Sequence, residues 1–173
     1  MLKAQIESHA HGLKRIPELL SISSPTGHQD RVRSSIHWAG RAVGQRPETA
    51  FLYRAIALES LILGSGSEEK SEITTRLAYA VTHLLGEWRI RTRKDTVKDI
   101  KSLYSVRSKI VHSGDYEVEI KHQWLLREYI IRCILRILSQ RQFDQMRASD
   151  DLDEWFRAAL RGEPPVADDT TSS

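Results

Sequence analysis

A chain of 173 residues with one cysteine and a net charge of +3 can close a hydrophobic core without disulfides or structural metals. Its 40% hydrophobic and 28% charged content is that of a globular protein, and excludes both a disulfide-stapled scaffold and a disordered chain. No apolar run approaches the roughly 20 residues that cross a bilayer, and the N-terminus lacks the apolar stretch of a signal peptide. The expectation is a cytoplasmic protein with no membrane partner.

Residues 1–33 are expected to form a short amphipathic helix and a linker. Leu2, Ile6, Leu13, Ile16 and Leu20 make one apolar side, while Gly12 and Pro17 weaken the helix. Residues 21–30, with Pro25 and Gly27, read as the linker.

A helical bundle is expected over residues 34–143. Ile36, Ala39 and Val43 recur at helical spacing over 34–43, and Gly44 follows as a stop. Residues 49–63 are the most apolar piece. Phe51, Ala55, Leu58 and Ile62 share a face that Leu52, Ile56 and Leu63 widen, so this helix should be central and largely buried. Arg54 and Glu59 interrupt it and need partners if buried. After a Gly-Ser-Gly-Ser loop at 64–67, the pattern resumes over 68–85 with Ile73, Leu77, Val81 and Leu84, and Gly86 fits a C-cap.

The next helix should run from an N-cap at Asp95 or Thr96 to about His112. Val97, Ile100, Tyr104 and Val111 form its inner stripe, which also carries Arg107. A long helix over 119–143 should turn Trp124, Ile130, Ile131, Ile134, Ile137 and Leu138 inward. The segment 144–161 holds a short helix around 151–160 with Trp155 and Phe156, and 162–173 reads as a disordered acidic tail. Only residues 115–119 alternate as a strand would. The fold class is therefore all-α: a bundle of four main helices with short additional terminal helices.

The charge is unevenly spread. The last twelve residues hold Glu163, Asp168 and Asp169 with no basic residue, so the chain before them carries +6. Between Trp88 and His112 lie Arg89, Arg91, Arg93, Lys94, Lys98, Lys101, Arg107 and Lys109, against only Asp95 and Asp99. Such a cluster suits a polyanion, usually nucleic acid; a solvated helix face is the plain alternative.

Arg107 and His112 close this basic segment, just before Gly114. A guanidinium can hold a phosphate oxygen through two hydrogen bonds, and an imidazole can move protons near neutral pH. The spacing alone is weak evidence, because Arg31 and Arg33 stand equally well before His37. Context favours the later pair, which lies on the basic helix with Ile110 and Val111 burying one side of its turn. Five residues of helix put the two side chains about 140° apart. Arginine's length, or fraying of the last turn, would bring both tips to one groove edge; a second copy of the helix would do so more simply.

Tyr104-Ser-Val-Arg-Ser-Lys-Ile-Val-His-Ser-Gly114 resembles the signature of the HEPN superfamily, specifically its Apea-like branch. Ile36-His-Trp-Ala-Gly-Arg-Ala42 resembles that branch's first helix, and Ala55-Ile-Ala-Leu-Glu-Ser-Leu-Ile-Leu63 its Ala-Leu-Glu-x-Leu helix. The apolar segment 76–85 falls where the branch carries another helix. The resemblance covers about residues 34–140. It implies a helical domain that dimerises around a metal-independent endoribonuclease site, without a cofactor. Arg107 would bind the scissile phosphate and His112 would transfer protons, with Ser108, Glu59 and Tyr104 in support. Arg89, Arg91, Arg93, Lys94, Lys98, Lys101 and Lys109 would hold the RNA backbone. An antitoxin or defence partner protein is a further expectation, as is a role in phage defence or as a toxin.

A second reading comes from another class: a non-catalytic helical module that binds RNA or a partner protein. Elsewhere the plain readings prevail. His83 is expected as a half-buried helix residue, Cys133 as core, and Trp88 and Tyr104 as packing rather than base-stacking groups. No Cys/His set has metal-site spacing, and no glycine-rich phosphate loop follows a strand.

Overall fold

The computed structural model describes residues 2–63, 70–86, 91–113, 117–146, 148 and 150–161; for 2–9, 70–72 and 160 it describes the backbone alone. Among them are eight helices and no strand: α1 (Leu2–Ser21), α2 (His28–Arg41), α3 (Pro47–Ile62), α4 (Lys70–Leu85), α5 (Arg93–Ser113), α6 (Ile120–Ser139), α7 (Arg141–Asp144) and α8 (Asp151–Leu160). The all-α class expected from the apolar periodicities is what the chain forms. The loop at 64–67, the segment 87–90 with Trp88 and Arg89, Gly114 and the tail at 162–173 lie outside the described residues.

α3 is the centre, packing on α2, α4, α5 and α6. It opens on Pro47, whose missing N–H is one that a first helical turn leaves unused anyway. Phe51, Leu58 and Leu61 are fully buried and meet Leu77 and Leu84 of α4, Ile100 and Leu103 of α5, and Tyr129 and Ile137 of α6 in one core. Both polar interruptions of α3 have partners. Arg54 donates to Gln123 of α6, whose amide donates onward to the Pro47 carbonyl, and Glu59 meets α5.

Several sequence expectations need correction. The N-terminal helix forms as expected, continuous through Pro17 for 20 residues, but its faces differ. Leu13 and Leu20 face outward, at 55% and 46% exposure, while Gly12 and Leu19 are buried. The glycine is what lets α1 seat on α6: a Cβ there would stand 2.8 Å from Ser139 Oγ and 3.1 Å from the Leu135 carbonyl oxygen. Arg15 locks the contact, donating to the Leu138 carbonyl at 2.6 Å and to Asp144 at 2.5 Å.

The linker ends sooner than its composition implies. Gly27, at φ 52°, turns the chain directly into α2, which begins at His28 rather than near residue 34. His28, Arg31 and Val32 are buried there. Arg31 donates to both carboxylate oxygens of Asp153 on α8, at 3.0 and 2.6 Å, and Val43, beyond the helix end, is exposed. α8 therefore joins the bundle: Leu152 and Phe156 are buried in the same core.

α5 starts at Arg93, with Thr92 rather than Asp95 or Thr96 as its cap. The Thr92 hydroxyl accepts from the Asp95 N–H at 3.2 Å and donates to the Asp95 carboxylate at 2.7 Å. α6 stops at Ser139 because Gln140 is extended (φ −108°, ψ 124°), and the one-turn α7 turns Phe143 into the core. Trp124 and Ile131, expected inside, are 62% and 39% exposed. Leu126, Ile130, Cys133 and Ile137 face the core, while Leu135, farther round α6, is buried where Gly12 of α1 seats on it. Trp124 and Ile131 lie more than about 120° from the middle of the core-facing arc and remain exposed. Among the described residues no helix is long and apolar enough to cross a membrane.

Candidate functional site

The last two turns of α5 border a cleft of about 350 Å³ between α3, α4 and α5. Tyr104, Arg107, Ser108, Val111 and His112 line it from α5, Glu59 and Ser60 from α3, and Ile73 and Thr74 from α4. α5 ends at Ser113, close to the expected end near His112. Arg107 and His112 remain about 140° apart on α5; both border the cleft from this one helix, with Val111 between them in azimuth. Val111 itself is 55% exposed, so Ile110 alone buries the inner side of that turn.

Three side chains form a linked group around Arg107. Arg107 Nε stands 3.0 Å from Glu59 Oε1, and the Tyr104 hydroxyl donates to the same oxygen at 2.9 Å. The carboxylate thus binds one edge of the guanidinium through Nε, and Arg107 remains about one-third exposed along the cleft. Arginine is suited to this double duty because its donors point along several fixed edges. Ser108 and His112 are exposed farther round α5, and Lys109 lies beyond them on the outer surface.

Burial pushes the Tyr104 phenol well above its ordinary range, and the Glu59 carboxylate adds to the shift. Burial does the same to Tyr129 of α6, helped by its hydrogen bond to Asp99 at 2.9 Å. The consequence is alkaline lability. Unfolded tyrosines ionise near pH 10, whereas these two keep their protons when folded. Above about pH 10 the folded state binds more protons, so stability should fall by about 1.4 kcal/mol per pH unit for each tyrosine until its folded pKa is passed. Urea unfolding between pH 9 and 11 tests this, and Tyr129→Phe should flatten the decline.

The basic residues divide between two directions. Lys94, Lys98, Lys101 and Lys109 are exposed and fall within about 80° of one another on α5, and His112 shares that arc. From Lys94 to His112 the stripe is about 27 Å long. Arg93, also exposed, sits at its start but round toward α4. Arg91 points elsewhere: it faces Asp99 at 3.5 Å, so part of its charge is already matched. Arg89 lies outside the described residues.

Sequence reasoning had no local signal for the Glu59–Arg107 pair, whose members are far apart in the chain; only the family resemblance placed Glu59 near the site. The plain readings of His83 and Cys133 match the structure. His83 is half-buried, edge-on to Trp155 with centroids 5.2 Å apart, and Cys133 is fully buried, its thiol pushed up by desolvation. Among the described residues no group of three His, Cys, Asp or Glu side chains stands close enough to hold a metal ion. Neither family models, nor curated proteins, nor solved structures provide a match to this chain.

Proposed function

We propose that the chain is a HEPN-type endoribonuclease, cutting RNA by arginine and histidine chemistry in the α3–α5 cleft. The observation that carries this reading is the cleft itself: a guanidinium held by Glu59 and an exposed imidazole both line it, and a lysine stripe on α5 runs up to the imidazole.

RNA carries its own nucleophile. A base removes the proton of a 2′-hydroxyl, and the oxygen attacks the neighbouring phosphorus. The P–O5′ bond breaks as an acid protonates the departing oxygen, leaving a 2′,3′-cyclic phosphate and a 5′-hydroxyl. Arg107 serves as the phosphate clamp, because negative charge grows on the non-bridging oxygens in the transition state. His112 serves as the proton-transfer group. One histidine per chain fills one of the two proton roles at a time, which is why we place the working site across a dimer interface that includes α5. Growth arrest or phage defence, with an antitoxin or defence partner holding the enzyme in check, is the setting this activity suits.

The test is incubation of the purified protein with total cellular RNA in EDTA, beside the Arg107→Ala/His112→Ala double variant. Cleavage by the first and not the second is expected. If neither cuts while both bind RNA, the chain is a binding module. Sedimentation at tens of micromolar should show a dimer. Lys98→Ala and Lys101→Ala should each flatten the salt dependence of RNA binding by about 0.7 slope units per lost phosphate contact.

A further inference from the structure

A second cleft, also about 350 Å³, opens at the other end of the lysine stripe, between α4, the first turn of α5 and α8. Tyr79 and His83 line it from α4, Arg93, Lys94 and Val97 from α5, and Ala159 from α8. None of the lining residues is acidic. Arg93 and Lys94 are exposed, and neither forms an ion pair with another described residue. Beside these cations stand the flat phenol of Tyr79, 49% exposed, and the small apolar side chains of Val97 and Ala159. His83 is backed by Trp155, which itself packs edge-on against Phe143 and Phe156 with centroids 5.3 and 5.2 Å away, so this wall is firmly supported.

We infer that this cleft binds a nucleotide, its base against Tyr79 and its phosphate between Arg93 and Lys94. The two halves of the ligand follow from the two halves of the lining. Adjacent cations with no carboxylate among the described lining residues select an anion, and an exposed aromatic face with apolar neighbours selects a planar ring. A phosphate alone would leave the Tyr79 side unused; a neutral aromatic molecule would leave the cations unused. The cleft begins where Lys94, Lys98 and Lys101 lead away toward His112. The nucleotide we assign to it is therefore one unit of a single RNA strand lying along α5, remote from the scissile bond. A free mononucleotide offers the same chemistry.

The experiment measures binding alone, in the full-length His112→Ala protein, and so is independent of whether the chain cuts RNA. Nucleoside 5′-monophosphates, the matching nucleosides and inorganic phosphate are titrated separately by calorimetry or by NMR of the Tyr79 and Val97 signals. The monophosphates should bind at least about tenfold more tightly than either fragment. Tyr79→Ala should weaken them by about 5- to 150-fold, the range of one base–aromatic stack. Arg93→Ala/Lys94→Ala should weaken them in a salt-dependent manner. All three replaced side chains are exposed, so these variants should fold. A short single-stranded RNA then identifies the source: competition with the monophosphate supports the strand, and simultaneous binding assigns the cleft to a free nucleotide. Failure of every monophosphate to bind at millimolar concentration, or binding indifferent to Tyr79→Ala, overturns the inference. Loss of RNA cleavage in the unmutated protein with monophosphate binding intact would sink the nuclease reading and leave this one standing.

Discussion

Replacing His112 with alanine is expected to lower RNA cleavage by roughly 10² to 10⁴, with RNA affinity nearly unchanged. The size follows from the role: a positioned acid–base group acts in the transition state, and its removal leaves the phosphate clamp and the lysine stripe intact. The side chain is exposed at the last turn of α5 and supports no core contact, so the variant should keep its fold. Single-turnover cleavage, compared with equilibrium binding of the same RNA, separates the two effects. Arg107→Ala should reduce both, because a clamp contributes to the ground state and more strongly to the transition state. A His112→Ala protein that cuts at the normal rate would remove the catalytic assignment.

Asp153→Ala should cost about 3 kcal/mol of stability. The acid faces Arg31 of α2 through two charge-assisted hydrogen bonds, and the arginine side chain is only 9% exposed. Truncating the acid leaves much of that guanidinium's desolvation uncompensated, which is the costly way to break a buried pair. For a protein of this size the melting temperature should drop by about 6–12 °C. A simultaneous Arg31→Met substitution, which removes the stranded charge, should restore much of the loss. Thermal denaturation of the three proteins decides it; a change below about 1 °C for Asp153→Ala would mean that α8 is held by Leu152 and Phe156 alone.

The helices legible in the sequence were those with dense apolar content. α3, α4 and α8 fall close to their expected bounds: α3 is apolar nearly all round and buries residues on several faces, whereas Leu77–Val81–Leu84 and Trp155–Phe156 mark one inner face of α4 and α8. The failures have physical causes. The inner face of α1 is turned from its apolar stripe because the contact with α6 is made at Gly12, which has no side chain for periodicity to register. Residues 28–33 hold two polar residues, His28 and Arg31, that become buried only because Met146 and Asp153 lie opposite them, and no local pattern shows those distant partners. Trp124 and Ile131 are apolar at helical spacing, yet periodicity gives the direction of a stripe and not its width. The Thr92 cap carries a Thr-x-x-Asp pattern in the sequence, one turn ahead of the expected caps at Asp95 and Thr96. At the site, the basic stripe and the Arg107–His112 pair were visible along the chain, whereas the cleft depends on how α3 and α4 meet α5.

The close seating of α1 on α6 also shapes what substitution can do to this protein. A saturation scan of α1 should show an uneven tolerance map, permissive at outward-facing Leu13 and Leu20 and nearly closed at Gly12. Alanine there sets a gain in helix propensity against pressure on Ser139 Oγ, a rotor that can yield. The same Cβ also stands 3.1 Å from the Leu135 carbonyl oxygen, which is backbone and cannot turn aside, and valine or leucine would crowd it further. Paired changes at 12 and 139 are thus the route by which this contact can drift, while changes at 12 alone should be purged.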